Sequence, residues 1–238
     1  MTVFQYLILF GFAFIGGAVA FLIKKADKNI INIVLSFSGA YLFGITVLHL
    51  VPEIYSNGDN SVGVYVLLGF FIQIFLEQFS KGIEHGHMHP VEKKSQAFVF
   101  SIMFGLGVHA FLEGIPLGAN ILDEPSRNAT LYGIAFHKAP AAFALTSILI
   151  YSGFNKPFSF TMLVIFCAIS PISALLAENV GQPSNTELYN IVTGIVVGSF
   201  LHISTTILFE SSTKIHKLSI IRILAILAGA AISLLTIH

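Results

Sequence analysis

The sequence predicts an all-α fold, a polytopic membrane helix bundle of eight transmembrane helices. Of the 238 residues, 55% are hydrophobic and only 10% are charged, whereas a soluble domain has about 25% charged residues. The mean hydropathy is +0.84. The apolar residues also form eight stretches of roughly the 20 residues needed to cross a hydrocarbon core about 30 Å thick. This composition excludes a water-facing globular domain.

The eight stretches are separated by short polar or charged links. Their length and their Leu, Ile, Phe and Ala content favour helices over the shorter, alternating strands of a membrane barrel. The first stretch has no basic residue before it and lysines after it, so we interpret it as a span and not as a cleaved signal. In chain order the predicted spans are Val3–Ile23, Ile30–Pro52, Val62–Ser80, Gln96–Leu122, Thr130–Ser152, Pro157–Ala177, Leu188–Phe209 and Leu218–Ile237.

The basic residues indicate the orientation of the chain. Ten of the 12 Lys and Arg residues fall in links one-two, three-four, five-six and seven-eight or, for Arg222, in the first turns of span eight, while Arg127 lies in another link and Lys138 lies within span five. The positive-inside rule places the first set of links in the cytoplasm and both termini outside it. We therefore expect an integral protein of the cell (inner) membrane, in which residues 81–96 form a short His-containing cytoplasmic loop.

Spans two and seven share a weak internal similarity. Residues 43–53 read FGITVLHLVPE and residues 200–210 read FLHISTTILFE, so Phe and Glu are ten residues apart in both. The four spans between them give the two segments opposite orientations. This arrangement predicts an inverted repeat.

Ionisable side chains near the middle of two consecutive spans indicate a metal site. His109 and Glu113 in span four are four residues apart, so on a helix they lie on one face, one turn apart. Span five contributes His137 and Lys138. Such groups within a membrane are usually functional, and imidazole with carboxylate suits Zn²⁺. We predict that His109, Glu113 and His137 bind the metal. A structural ion pair between Glu113 and Lys138 is the alternative, but it leaves both histidines unused.

Other ionisable residues are weaker metal-binding candidates. Glu77 in span three and His202 in span seven could line the path of the ion, or they could be a solvated acid and a core hydrogen bond. His85, His87 and His89 in the loop could hold a released ion loosely, or they could be incidental residues of an unstructured linker. Because Cys167 is the single cysteine, a multi-cysteine metal site is excluded.

The sequence resembles the ZIP family of metal-ion transporters. Residues 109–114 (HAFLEG) are similar to the family's His-x-x-x-Glu-Gly signature in span four, residues 137–138 (HK) to a His-Lys form of its span-five motif, and residues 49–53 (HLVPE) to its His-Leu-x-Pro-Glu motif. The resemblance implies one ZIP-type transmembrane domain over residues 1–238, with its metal site between spans four and five. It also implies that spans one, four, five and six move against spans two, three, seven and eight.

These observations predict a permease that carries Zn²⁺, or else Fe²⁺ or a similar divalent ion, into the cytoplasm. The metal is the substrate, and neither a prosthetic group nor an enzymatic activity is expected. An intramembrane zinc-dependent hydrolase is the alternative class, although the sequence contains no His-Glu-x-x-His helix. The expected partners are the metal ion and the lipid bilayer, with a homodimer allowed. A net charge of zero argues against nucleic acid.

The number of metals is a separate prediction. The resemblance implies that many family members bind two adjacent metals, whereas here Lys138 and Ala141 stand at positions where members can have acids. The ammonium of Lys138 would repel a second divalent ion in a region of low dielectric constant. We therefore predict one metal at the transport site. Alternatively, Lys138 could lose its proton on burial, and the repulsion would then vanish.

Overall fold

The computed structural model describes residues 1–23, 28–56, 61–85, 95–119, 122–180, 186–210 and 219–236. Within these residues the regular structure is helical and includes no strand, which confirms the all-α class. The helices are α1 Val3–Val19, α2 Lys28–Ile45, α3 Val51–Ser56, α4 Val62–Ser80, α5 Gln96–Gly118, α6 Glu124–Tyr151, α7 Lys156–Val180, α8 Thr186–Glu210 and α9 Ile220–Leu234. A π turn, Thr46–Leu50, joins α2 to α3, and a 3-10 turn, Ile83–His85, follows α4.

Six helices in the described part of the chain are long and apolar enough to cross a membrane. They are α4 to α8 and the continuous segment Asn29–Ser56, which contains α2, the π turn and α3. The two terminal helices are apolar but shorter, with 17 residues in α1 and 15 in α9. Large apolar side chains such as Phe4, Phe71 and Leu224 are exposed on the outside of the bundle, as lipid contact requires. The membrane bundle is confirmed, and the count of eight spans stays a prediction.

Capping residues explain where the helices begin. Ser95 accepts a hydrogen bond from the backbone N–H of Phe98 and caps α5 at the predicted position. The start of α6 differs from the prediction, because Asp123 caps the helix and the first turns are polar. Hydropathy assigns such polar turns to a loop, so the predicted start at Thr130 is six residues late.

The helices form two groups that pack mainly within themselves. The first group contains α1, α5, α6 and α7, and the second contains α2, α4, α8 and α9. Within each group, glycines bring neighbouring backbones so close that an added Cβ atom would lie 1.9 to 2.4 Å from an atom of the facing helix. These glycines include Gly16 on α1, Gly114 and Gly118 on α5, Gly198 on α8 and Gly229 on α9. The two groups match the two bundles that the resemblance implies.

The packing pairs also have an internal symmetry. The four most extensive pairs are α1 with α6, α5 with α7, α2 with α9, and α4 with α8. Exchanging α1 with α7, α2 with α8, α4 with α9 and α5 with α6 converts each pair into another pair of the same set. This exchange has the form that an inverted repeat requires, so the pairing is compatible with the predicted repeat.

The π turn in the second span brings His49 between the two groups. This turn ends at Leu50, two residues before Pro52, whose missing N–H and bulky ring disfavour a regular α-helical turn. The two ring nitrogens of His49 hydrogen-bond with the hydroxyls of Ser126 on α6 and Thr236 after α9, each at 2.9 Å. Tyr41 on α2 also donates a hydrogen bond to the carbonyl of Ala129 on α6. The bonds of His49 with Ser126 and of Tyr41 with Ala129 link the two groups near the start of α6.

Candidate metal centre

The first cluster of ligand-type side chains lies between α5 and α6. His109 Nε2 is 3.1 Å from Glu113 Oε1, as the spacing of one helical turn requires, and His137 Nε2 is 3.9 Å from the same oxygen. The two imidazole rings are 5.8 Å apart and nearly perpendicular. Each of the three residues offers a ligand atom within 4.8 Å of the others. The structure thus brings together the three residues that the sequence identifies as metal ligands.

The polar atoms of this cluster are buried and unsatisfied. The three side chains are at most 3% exposed. Among the described residues, no hydrogen-bond partner is found for either oxygen of Glu113, either ring nitrogen of His137, or Nδ1 of His109. Burying such groups without hydrogen bonds is costly, because the charge contacts of Glu113 with His109 and Lys138 replace only part of the lost hydration. A cation bound by these atoms would supply the missing interaction.

The ligand atoms of the first cluster suit a transition metal ion that must also be released from the site. Zn²⁺ binds imidazole nitrogen and carboxylate oxygen at about 2.0–2.2 Å, and the observed spacings between ligand atoms are compatible with such bonds. Ca²⁺ and Mg²⁺ prefer more oxygens than one carboxylate offers. Three protein ligands leave a position open for water or for ligand exchange. The arrangement can therefore hold a metal without enclosing it.

Lys138 lies beside the cluster and is almost completely buried. Its Nζ is 3.6 Å from Glu113 Oε2, beyond the usual range for an N–H···O hydrogen bond. Nζ instead donates a hydrogen bond to Ser170 Oγ on α7 and lies 4.7 Å from the centre of the Phe166 ring. The sequence suggests a Glu113–Lys138 ion pair as the alternative to a metal site. The two charges do lie close together, but without a direct hydrogen bond, so the carboxylate oxygens stay available to a metal.

A second cluster joins Glu77 on α4, His85 in the 3-10 turn and His202 on α8. His202 Nε2 hydrogen-bonds with Glu77 Oε2 at 2.9 Å, and His85 Nε2 lies 3.8 Å from the same oxygen. Each of the three residues has a ligand atom within 4.8 Å of the others. The sequence treats these residues as separate weak candidates, and the structure unites them.

The chain reversal after α4 explains the position of His85. Lys81 has a φ of 56° and Gly82 a φ of 70°, so two consecutive left-handed residues turn the chain back towards the end of α4. His85 is buried and not in an open loop, which differs from the flexible run that the sequence suggests. The 3-10 turn that carries it packs against α8 and also against α6, the helix that carries His137. His85 therefore lies on a turn that contacts helices of both clusters, while His87 and His89 fall outside the described residues.

Comparison with known proteins identifies the family. A sequence model of the family described as ZIP zinc transporter matches residues 83–236, which is more than half of the chain. Zinc transporter ZIP9 of Micropogonias undulatus is 29% identical over 152 residues, covering 60% of this chain and 49% of the relative. Zinc transporter ZIP9 of Xenopus tropicalis is 28% identical over 159 residues, covering 63% and 52%. An uncharacterized protein of Methanocaldococcus jannaschii is 28% identical over 117 residues, covering 47% and 48%.

The chain spans about half the length of the curated relatives it matches. The region matched by the family contains the complete first cluster, together with His85 and His202 of the second cluster. Because the match covers more than half of the sequence, and because the helical membrane bundle is the fold expected of such a protein, the chain belongs to the ZIP zinc transporter family.

Proposed function

We propose that this protein is a membrane permease that carries a divalent transition metal ion into the cytoplasm, with Zn²⁺ as the first candidate and Fe²⁺ or a similar ion as the alternative. The observation that carries the proposal is the buried cluster of His109, Glu113 and His137, in which five of the six side-chain nitrogen and oxygen atoms lack hydrogen-bond partners among the described residues. The cluster lies on two helices that are long and apolar enough to span a membrane.

The second cluster supports a direction of transport. Ten basic residues lie in or beside links one-two, three-four, five-six and seven-eight. By the positive-inside rule, the Lys81–His85 turn then faces the cytoplasm, and both termini lie outside the cell membrane. Because the turn that carries His85 packs against α6, an ion that leaves Glu113 would then meet His85 and the Glu77–His202 pair on its way inwards. Successive sites of moderate affinity favour movement, because an ion held too tightly at one site cannot be released.

One transported ion at a time is the stoichiometry that the charges favour. Both histidines lie near Glu113 Oε1, whereas Lys138 Nζ lies 3.6 Å from Oε2, the oxygen that would have to hold a second, bridged cation. Its ammonium offsets the carboxylate charge and repels another divalent ion. We therefore infer a single metal between α5 and α6, with water completing its coordination.

The alternative of a zinc-dependent hydrolase is not supported. The chain belongs to a family of transporters, and Glu113 lies within 4.8 Å of both histidines as a ligand. A hydrolase would need a further base near the metal to activate water. The charged group beside Glu113 among the described residues is the ammonium of Lys138. An ammonium cannot act as a base while it is protonated.

The test is metal flux into sealed vesicles that contain only the purified protein. We expect Zn²⁺ to enter vesicles made with the wild-type chain, and Glu113→Gln or His137→Ala to abolish entry while the protein still folds. The matched control is Glu124→Gln, which removes an exposed carboxylate from the same helix as His137. Normal flux in Glu113→Gln would refute the site, and absence of flux in the wild type under a zinc gradient would refute the permease.

A further inference from the structure

Two residues of α7, Ser170 and Phe166, contact the ammonium of Lys138. Ser170 Oγ donates a hydrogen bond to the carbonyl of Ala110 at 2.5 Å. Because the single hydroxyl proton is used in that bond, only the lone pairs of Ser170 can face the ammonium, and they accept the hydrogen bond from Lys138 Nζ. Phe166, one turn earlier on α7, places its ring 4.7 Å from the same nitrogen. The ammonium is held from two sides.

The backbone fixes the position of this network. Gly114 on α5 has no side chain, and an added Cβ would lie 2.3 Å from the carbonyl oxygen of Ser170 and 2.0 Å from Ser173 Oγ. At Gly118 the corresponding distance is 1.9 Å, to the carbonyl oxygen of Ala174. Because α5 and α7 touch through their backbones at these points, the backbone of Ser170 is fixed against α5, and its hydroxyl is held there by the bond to Ala110.

We propose that Ser170 is a positioning residue for metal binding, which holds the Lys138 ammonium off Glu113 so that the carboxylate stays open to the cation. The inference rests on the proposed function and adds a residue to its site. The distance of 3.6 Å between Nζ and Glu113 Oε2 keeps the charges close enough to offset each other, without a direct hydrogen bond. Both carboxylate oxygens therefore remain available to a metal.

Loss of the Ser170 hydroxyl removes the acceptor that competes with Glu113. The ammonium then needs to move by less than 1 Å to form a direct, charge-assisted hydrogen bond with the carboxylate. An incoming metal would have to break that bond before it could bind. Changes in groups that orient a metal ligand typically cost about 10–100-fold in affinity. We expect Ser170→Ala to weaken Zn²⁺ binding by about tenfold.

The experiment is a double-mutant cycle on purified protein, with Zn²⁺ titration as the readout. Ser170→Ala should raise the dissociation constant, and Ser170→Thr, which keeps a hydroxyl, should restore it. In a Lys138→Met background, Ser170→Ala should have no further effect, because no ammonium is left to position. An equal loss of affinity in both backgrounds would show a packing role and overturn the proposal, as would unchanged binding in Ser170→Ala.

A metal-free structure of Ser170→Ala separates this inference from the proposed transport. The distance between Lys138 Nζ and Glu113 Oε2 should fall from 3.6 Å to about the 2.7–2.9 Å of a charge-assisted hydrogen bond. A distance that stays at 3.6 Å refutes the positioning role, whether or not the protein transports zinc. Wild-type protein that binds Zn²⁺ through Glu113 but does not carry it into vesicles contradicts the transport alone.

Discussion

Replacing Lys138 by Met should affect the empty and the metal-bound protein in opposite directions. In the empty protein, Glu113 would lose the ammonium that lies 3.6 Å from its carboxylate. With an effective dielectric constant of about 20, two unit charges at that distance attract each other by roughly 4–5 kcal/mol. Removing one member of a buried pair typically costs about 3–5 kcal/mol. We therefore expect the free energy of unfolding of the empty protein to fall by about 3 kcal/mol.

In the metal-bound protein, the same change removes a positive charge that repels the ion. We expect the dissociation constant for Zn²⁺ to fall by about tenfold or more, since each 1.4 kcal/mol of relieved repulsion corresponds to a factor of ten. Added zinc should accordingly raise the unfolding temperature of Lys138→Met by more than it raises that of the wild type.

The assay is thermal unfolding of purified protein in detergent, with and without Zn²⁺. For a chain of this length, a loss of about 3 kcal/mol corresponds to a decrease of roughly 6–12 °C. The matched control is Lys156→Met, which removes an exposed lysine at the start of α7 and should leave both unfolding temperatures unchanged. If empty Lys138→Met unfolds at the wild-type temperature, or if it binds zinc more weakly, the electrostatic reasoning about Glu113 is wrong.

Three further predictions concern orientation, packing and release. Cysteine in place of Glu124 should react with an impermeant thiol reagent on intact cells and cysteine in place of Lys156 should not; the reverse pattern would invert the orientation. Gly114→Ala should lower the unfolding temperature by several degrees because of its backbone contacts with α7, whereas Gly11→Ala, with nothing within 4 Å, should have little effect; equal effects would contradict the close packing. Glu77→Gln should slow zinc flux into vesicles without changing equilibrium binding at the α5–α6 site, and unaltered flux would remove the second cluster from the path.

Much of the architecture is readable from the sequence because lipid imposes long apolar helices. The predicted span Val62–Ser80 coincides with α4, since polar residues bound it on both sides. The start of α6 is missed because a capping aspartate and several polar turns precede its apolar part. The π turn at Thr46–Leu50 is also missed, because it depends on a local change of hydrogen bonding that hydropathy does not record.

The two clusters differ in how far the sequence predicts them. His109 and Glu113 follow from helical spacing alone, and His137 follows from its position in the next span and from the family motif. The second cluster depends on a chain reversal after α4 and on contact between α4 and α8, where Glu77 and His202 are 125 residues apart in sequence. The spacing of apolar residues along the sequence does not predict a contact between two such distant helices. The role of Ser170 is likewise visible only once α5, α6 and α7 are packed together.

The π turn makes His49 a hydrogen-bonding point shared by the two helix groups beside the start of α6. If the two helix groups slide past each other, the bond from His49 to Ser126 on α6 must break, whereas the bond to Thr236, which follows α9 in the same group as His49, can persist. Because His49 is only half-buried, water can replace the lost hydroxyl, and the net change is about 1 kcal/mol, the usual worth of one hydrogen bond. A barrier contribution of that size is less than twice the thermal energy RT. The His49–Ser126 bond therefore favours one relative position of the two helix groups, but it adds little to the energy barrier for sliding out of that position.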